Sequence, residues 1–229
     1  MKKVLLSLCS AALVFSVGIH ARANTILPNS GYSANAEADQ GNPETVGYDF
    51  TVGSTPLLVT ALGLWDGPQA AAGTFNGSTG MIGDGFANQH TVGLWDSAGN
   101  LLGSVIIQPG TAVPLSGEFR YVNLVTPVVL LAGTKYVLGS SLAADDPDSL
   151  DVIFGAIPSD PAVTSGNFRE SDGAFGFPAD LGFAGGQIGP NAMFTLLTNG
   201  HAVPEAGVTG LLLFISLAGL LGARRVVRF

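Results

Sequence analysis

Between residues 46 and 140 the chain alternates short apolar runs with Gly, Pro, Asn and Asp, and the breaks recur about every ten residues. A helix that buries one face needs a longer stretch with apolar residues three and four apart. No window before residue 203 shows that spacing together with caps. The core must therefore come from strands. The expected fold is all-β: a single antiparallel β-sandwich, jelly-roll-like, spanning residues 24–202.

Strands are expected at residues 46–52, 57–65, 90–95, 101–107, 119–125, 135–140, 151–156 and 193–197. In the second of these, Leu58, Leu62 and Leu64 fall on one side and Val59 and Trp65 on the other, as in a central strand. Residues 90–95 and 101–107 flank Asp96-Ser97-Ala98-Gly99-Asn100, whose Gly and Asn accept the positive φ of a hairpin turn. Phe119 and Tyr121 share a face, and Pro127 starts another edge. Residues 24–44 read as a loosely held segment and 67–89 as a long loop. Residues 159–190, rich in Gly, Pro, Asp and Phe, show no clean period.

Both ends carry export signals. Lys2-Lys3 precede an apolar run over residues 4–19, and Ala21-Arg22-Ala23 puts small residues where a signal peptidase reads them. Residues 1–23 are thus a secretory signal peptide, with cleavage expected before Asn24. Cys9 lies inside the apolar run, and Leu8 stands where a lipoprotein signal needs a small residue, so lipidation is excluded. The exported part then holds no cysteine, hence no disulfide and no thiolate site. At the other end Val203-Pro204-Glu205-Ala206 opens residues 203–229, and residues 206–223 carry no charge. At about 1.5 Å per residue these reach roughly 27 Å, just enough for a transmembrane helix. Arg224, Arg225 and Arg228 follow and should stay cytoplasmic, leaving the domain on the outer side of the inner membrane.

The tail resembles the PEP-CTERM sorting domain, the C-terminal signal on which exosortase-type enzymes of Gram-negative bacteria act. Val203-Pro204-Glu205 is similar to the start of its Pro-Glu-Pro motif, residues 207–222 to its hydrophobic helix, and Arg224-Arg225 to its basic cluster. Ala206 departs from the motif's second proline, which allows a variant specificity or a retained tail. A second resemblance rests on Leu62-Gly63-Leu64-Trp65-Asp66, on residues 89–102 with Gln89-His90 and Gly93-Leu94-Trp95-Asp96, on Phe119-Arg120-Tyr121-Val122, and on residues 132–139. These look like a β-sandwich domain of unknown function found in exported PEP-CTERM proteins. It covers residues 46–140, with an echo in Gly189-Pro190-Asn191. This resemblance implies fold and location and brings no catalytic residues.

Charge narrows the partners. Six of the nine basic residues lie in the removable ends, so residues 24–202 keep only Arg120, Lys135 and Arg169 against sixteen carboxylates, a net charge of −13. Such a surface repels nucleic acid and anionic lipid. The expected partners are an exosortase-type processing enzyme, the inner membrane, and extracellular polysaccharide.

Catalytic residues are expected to be absent. His90 is the only histidine between the signal and the tail motif other than His201, and it reads as a strand or rim residue. No Gly-x-Ser-x-Gly elbow occurs, and zinc sites fail for lack of His and Cys. Asp66 and Asp96 read as turn residues that end their strands. Asp145, Asp146, Asp148 and Asp151 form the densest acidic patch, a solvated loop or a weak calcium site without the EF-hand glycine and glutamate. Trp65, Trp95 and Tyr121 read as core rather than as sugar-stacking platforms, and Phe168, Phe175, Phe177 and Phe183 as cover for one end. The expectation is an exported, non-enzymatic structural or binding protein of the cell surface or matrix. The alternatives are a secreted carbohydrate hydrolase and a calcium-dependent adhesion module.

Overall fold

The structure, a computed structural model, describes residues 23–32, 36–37, 42–70, 80–148, 150–154, 157–198 and 201–202. The signal peptide with Ala21, the sorting motif, the apolar tail and its arginines lie outside the described residues. Among the described residues no helix is long and apolar enough to cross a membrane.

In chain order the strands are β1 (Asn24–Thr25), β2 (Ala36–Glu37), β3 (Glu44–Val52), β4 (Leu57–Trp65), β5 (His90–Asp96), β6 (Leu101–Ile107), β7 (Leu115–Ser116), β8 (Phe119–Leu130), β9 (Lys135–Leu142), β10 (Leu150–Phe154), β11 (Val163–Asp172), β12 (Asp180–Ile188), β13 (Pro190–Thr198) and β14 (His201–Ala202). The protein is all-β, and its strands form two antiparallel sheets. Sheet I runs β1-β13-β4-β8-β7, with β14 on β13; sheet II runs β2-β10-β12-β11-β3-β9-β5-β6. One core takes side chains from both: Leu57, Leu62 and Phe194 from sheet I, and Tyr48, Val92 and Leu138 from sheet II, all fully buried. Each contributes on the order of 1.5–3 kcal/mol of hydrophobic transfer.

Three sequence expectations need correction. The alternation in β4 breaks at a bulge between Val59 and Ala61, so Leu57 and Val59 join Leu62 and Leu64 in the core while Leu58 stays half-buried. The extra residue switches the phase of everything after it. Next, residues 159–190 contain two long strands, β11 and β12. Their pattern is hidden because β11 carries its own register shift between Ser165 and Phe168 and β12 is glycine-rich. Finally, the described start of residues 24–44 is not loosely held. Ile26 and Leu27 are fully buried, Ile26 N donates to Ala192 O at 3.0 Å, and Leu27 N donates to Asn191 Oδ1 at 3.0 Å.

That last segment lies over the outer face of sheet I. Tyr32 meets Trp65 and Phe119 edge-on at 6.1 and 5.5 Å, and Tyr121 Oη donates to Asn29 Oδ1 at 3.0 Å. Residues 173–179 play the same part on sheet II, where Phe175 and Phe177 pack on Trp95 at 5.2 and 6.3 Å. These two phenylalanines therefore cover a sheet face rather than an end. Phe168 sits in a small inner cluster with Val46, Leu142 and Leu150, and the side chain of Phe183 lies outside the described residues.

Candidate functional site

Alternation puts His90 in phase with the core residues Val92 and Leu94, and at 0% exposure it points inward at the start of β5. A buried imidazole needs partners for both nitrogens. Nδ1 meets the Ser141 carbonyl oxygen at 2.8 Å, and Nε2 meets Asp148 Oδ2 at 2.9 Å. A carbonyl only accepts, so Nδ1 carries a proton, and where the Asp148 carboxylate is the acceptor at Nε2 both nitrogens donate. Burial alone would lower its pKa. The hydrogen bonds to Asp148 and to the Ser141 carbonyl, with the charges of Asp146 and Asp148, outweigh burial and raise it above the usual histidine value. Phe86 closes one side, edge-on at 5.1 Å.

The two aspartates are as fully engaged. Asp148 accepts Ala87 N at 2.8 Å and Asn88 N at 2.9 Å besides His90. Asp146 accepts Asn88 Nδ2 at 3.0 Å, Ala143 N at 2.9 Å and its neighbour Asp148 N at 3.1 Å. Of the acidic patch, then, Asp146 and Asp148 are buried and joined to His90. Asp145 is exposed in a turn at φ 53°, and the side chain of Asp151 lies outside the described residues. One nitrogen and two carboxylate oxygens of His90, Asp146 and Asp148 lie within 4.8 Å of one another, a donor set that can hold a metal ion. Calcium asks for six to eight oxygens, whereas these oxygens already accept N–H groups. The arrangement works chemically as an internal clamp that fastens residues 143–148 to β5.

A second buried charge lies next to it. Asp66 follows the end of β4 as expected but, at 0% exposure, is a buried ion-pair partner rather than a turn residue: its Oδ2 accepts Arg120 Nε at 2.6 Å and its Oδ1 accepts Gly85 N at 3.1 Å. The other nitrogens of Arg120 donate to the carbonyls of Gly83 at 3.0 Å and of Val113. Burial pushes the Asp66 carboxyl pKa up, more than the charge and hydrogen bond of Arg120 pull it down. Residues 83–90 are the shared element. Gly85, Ala87 and Asn88 give their N–H groups to Asp66 and Asp148, Gly110 N donates to Phe86 O at 2.7 Å, and Ala70 N ties in through Pro147 O at 2.8 Å. The described part of the long 67–89 segment is held from both sides.

On the outer face of sheet II, Asp49 is buried beneath Arg169, which donates through Nε at 2.9 Å and Nη2 at 2.7 Å, with Lys135 Nζ at 3.5 Å. All three basic residues of residues 24–202 thus serve buried aspartates. Arg120 was open to detection from the sequence: it falls in phase with Leu124, so alternation alone sends a cation inward, and an inward cation requires an acid. Trp65 and Trp95 are buried, at 0% and 3% exposure, but beneath the segments that cover the outer sheet faces, and Trp95 joins no core cluster; Tyr121 is half-buried.

Two cavities open at the β1 end of the molecule. One of about 520 Å³ is lined by Asn24, Asn29, Ser116 and Asp160 among others, and one of about 420 Å³ by Gly53, Thr55 and Asp160 among others. Asp160 is the only carboxylate in either lining, and its Oδ1 accepts Ala162 N at 2.8 Å. No protein-family model and no curated protein matches this chain.

Proposed function

We propose that this chain is an exported, non-enzymatic protein of the surface or extracellular polysaccharide matrix of a Gram-negative bacterium. In this view a jelly-roll-like β-sandwich is delivered by a C-terminal sorting tail that an exosortase-type enzyme processes at the inner membrane. The observation that carries it is the order in the tail: Val203-Pro204-Glu205-Ala206, an uncharged run, then Arg224-Arg225. Two antiparallel sheets around one core support the sandwich, and the engagement of His90 in an internal clamp supports the non-enzymatic part.

Intact mass of the mature protein from its native host is the test. A chain running from Asn24 to near Glu205 is the expected result, whereas one still ending at Phe229 would remove processing and leave a membrane-tethered domain. Calcium is expected to leave the Tm unchanged, since the aspartates are already satisfied. A rise in Tm would restore the calcium-dependent adhesion module, because a ligand that binds only the native state must stabilise it.

A further inference from the structure

Strand β13 carries two short strands on one edge. Ala192 O accepts Ile26 N at 3.0 Å, and Asn24 lies opposite Phe194, so the even-numbered residues of β13 turn their backbone groups toward β1. Leu197 N donates instead to Pro56 O at 2.8 Å, on the side of β4. In the ladder with β14, Leu197 faces Ala202 and Thr198 faces His201. Since the Leu197 N–H is already turned to the β4 side, Thr198 is the residue that bonds β14, and β14 lies on the β1 edge. Between these two attachments Thr195 and Leu196 have no sheet partner on that edge among the described residues.

The register fixes what comes next. Continued by one and two residues, β14 sets Val203 opposite Leu196 and Pro204 opposite Thr195. Glu205 would then meet Phe194, a place that Asn24 already holds. Leu196 is in phase with the fully buried Ala192 and Phe194, yet it stands 38% exposed beside the cavity of about 420 Å³ that it lines with Asn24, Pro161 and Ala162. Residues directly opposite across a ladder share a face, so a paired Val203 turns its side chain onto Leu196 and toward that cavity. Pro204 suits its place as well. Opposite an odd-numbered residue its nitrogen points away from β13, where an edge strand needs no N–H.

We propose that Val203 and Pro204, the first two residues of the tail motif, add to the edge of β13 as a continuation of β14, with Val203 seated at the 420 Å³ cavity and Glu205 the first residue free of the sheet. The purpose of the seat rests on the reading of residues 203–229 as a sorting tail: it presents Glu205 and Ala206 to a processing enzyme at a fixed place on the domain.

Disulfide trapping tests this in a chain that starts at Asn24, which holds no cysteine, and keeps its tail to Phe229 in detergent. Thr195→Cys with Pro204→Cys joins two opposed residues whose backbones do not bond each other, the closer kind of antiparallel pair. Under mild oxidation it should close an intramolecular bridge at least about tenfold faster than Thr195→Cys with Val203→Cys, whose side chains lie on opposite faces. In amide exchange the Leu196 and Val203 N–H groups should be protected at least about tenfold over that of Ala202, which points away from β13. Val203→Asp should remove the protection at Leu196 while leaving that of β4 unchanged. Equal closure of the two cysteine pairs, equal exchange at Val203 and Ala202, or protection at Leu196 that survives Val203→Asp would each overturn the proposal. None of these readouts needs processing, so a tail that the native host never removes would sink the proposed function and leave the seat standing.

Discussion

Gly-Leu-Trp-Asp occurs twice in the chain, at residues 63–66 and 93–96, and the two copies end in opposite surroundings. Their first three residues behave alike. Leu64 and Leu94 enter the common core, while Trp65 and Trp95 turn to the outer faces and are covered, one by Tyr32 and the other by Phe175 and Phe177. Each glycine leaves room for an aromatic ring, Gly63 for Tyr121 and Gly93 for Trp95 and Phe175. The aspartates then part. Asp66 is buried on Arg120, whereas Asp96 stays at the surface and accepts Ala98 N and Asn100 N, each at 2.9 Å, in the hairpin turn where Gly99 sits at φ 86°. Four identical residues specify a strand end with a covered tryptophan. The segment beyond each copy decides whether the acid holds a turn or a buried cation.

Substitutions can break this comparison. Asp66→Ala should have the largest effect, because it leaves the Arg120 guanidinium buried without its partner; a loss of about 3–5 kcal/mol is expected in urea unfolding. A loss under about 1 kcal/mol would mean that the carbonyls of Gly83 and Val113 suffice for Arg120. Gly93→Ala and Gly63→Ala come next. In each the new methyl collides with a ring, and overpacking of this kind costs about 1–3 kcal/mol. If only one of the pair is destabilised, the two glycines are not equivalent.

Histidine 90 sharpens the comparison through pH, since its clamp borders the Asp66 end and not the Asp96 turn. Its pKa is raised in the folded state, so its contribution is complete below the unfolded value near 6.5 and is lost as pH rises through the folded value. The groups facing it are Asp146, Asp148, the Ser141 carbonyl and Phe86. Tm should therefore fall as pH rises above the unfolded histidine value, and His90→Asn should lower Tm below that value and flatten the dependence. A wild-type Tm that stays level over that rise would contradict an imidazolium in the core. Asp96→Ala should show the smallest effect, because its turn is solvated and Gly99 already supplies the positive φ. The hydrogen bonds from Asn100 hold the Asp96 pKa below the usual carboxylate range, so its contribution is lost only as pH falls through that lowered value.

Strand positions marked by apolar runs between turn signals were legible in the sequence: β4, β5 and β6 lie where those runs put them. Bulges were not, because an inserted residue leaves no mark in composition, and Leu58 fell on the wrong face for that reason. Strands β11 and β12 escaped notice because a register shift interrupts one and glycine supplies the other with no side chain to alternate. The candidate site was half visible. Residues 145–148 stood out as acidic, and His90 stood in phase with Val92 and Leu94, but nothing local in sequence joins residues 58 apart. Partners of buried charges are set by the fold, and sequence states only that each buried charge needs one.

Strand β13 lies between β1 and β4, and β14 pairs antiparallel with its far end. Any pull that reaches the domain through residue 203 meets β14 first, which pairs only Leu197 with Ala202 and Thr198 with His201 and would peel open one bond at a time. Beyond it the load runs along β13, whose ladders to β1 and β4 lie across the direction of pull and must be sheared together. A domain hung from that end would give a little and then hold.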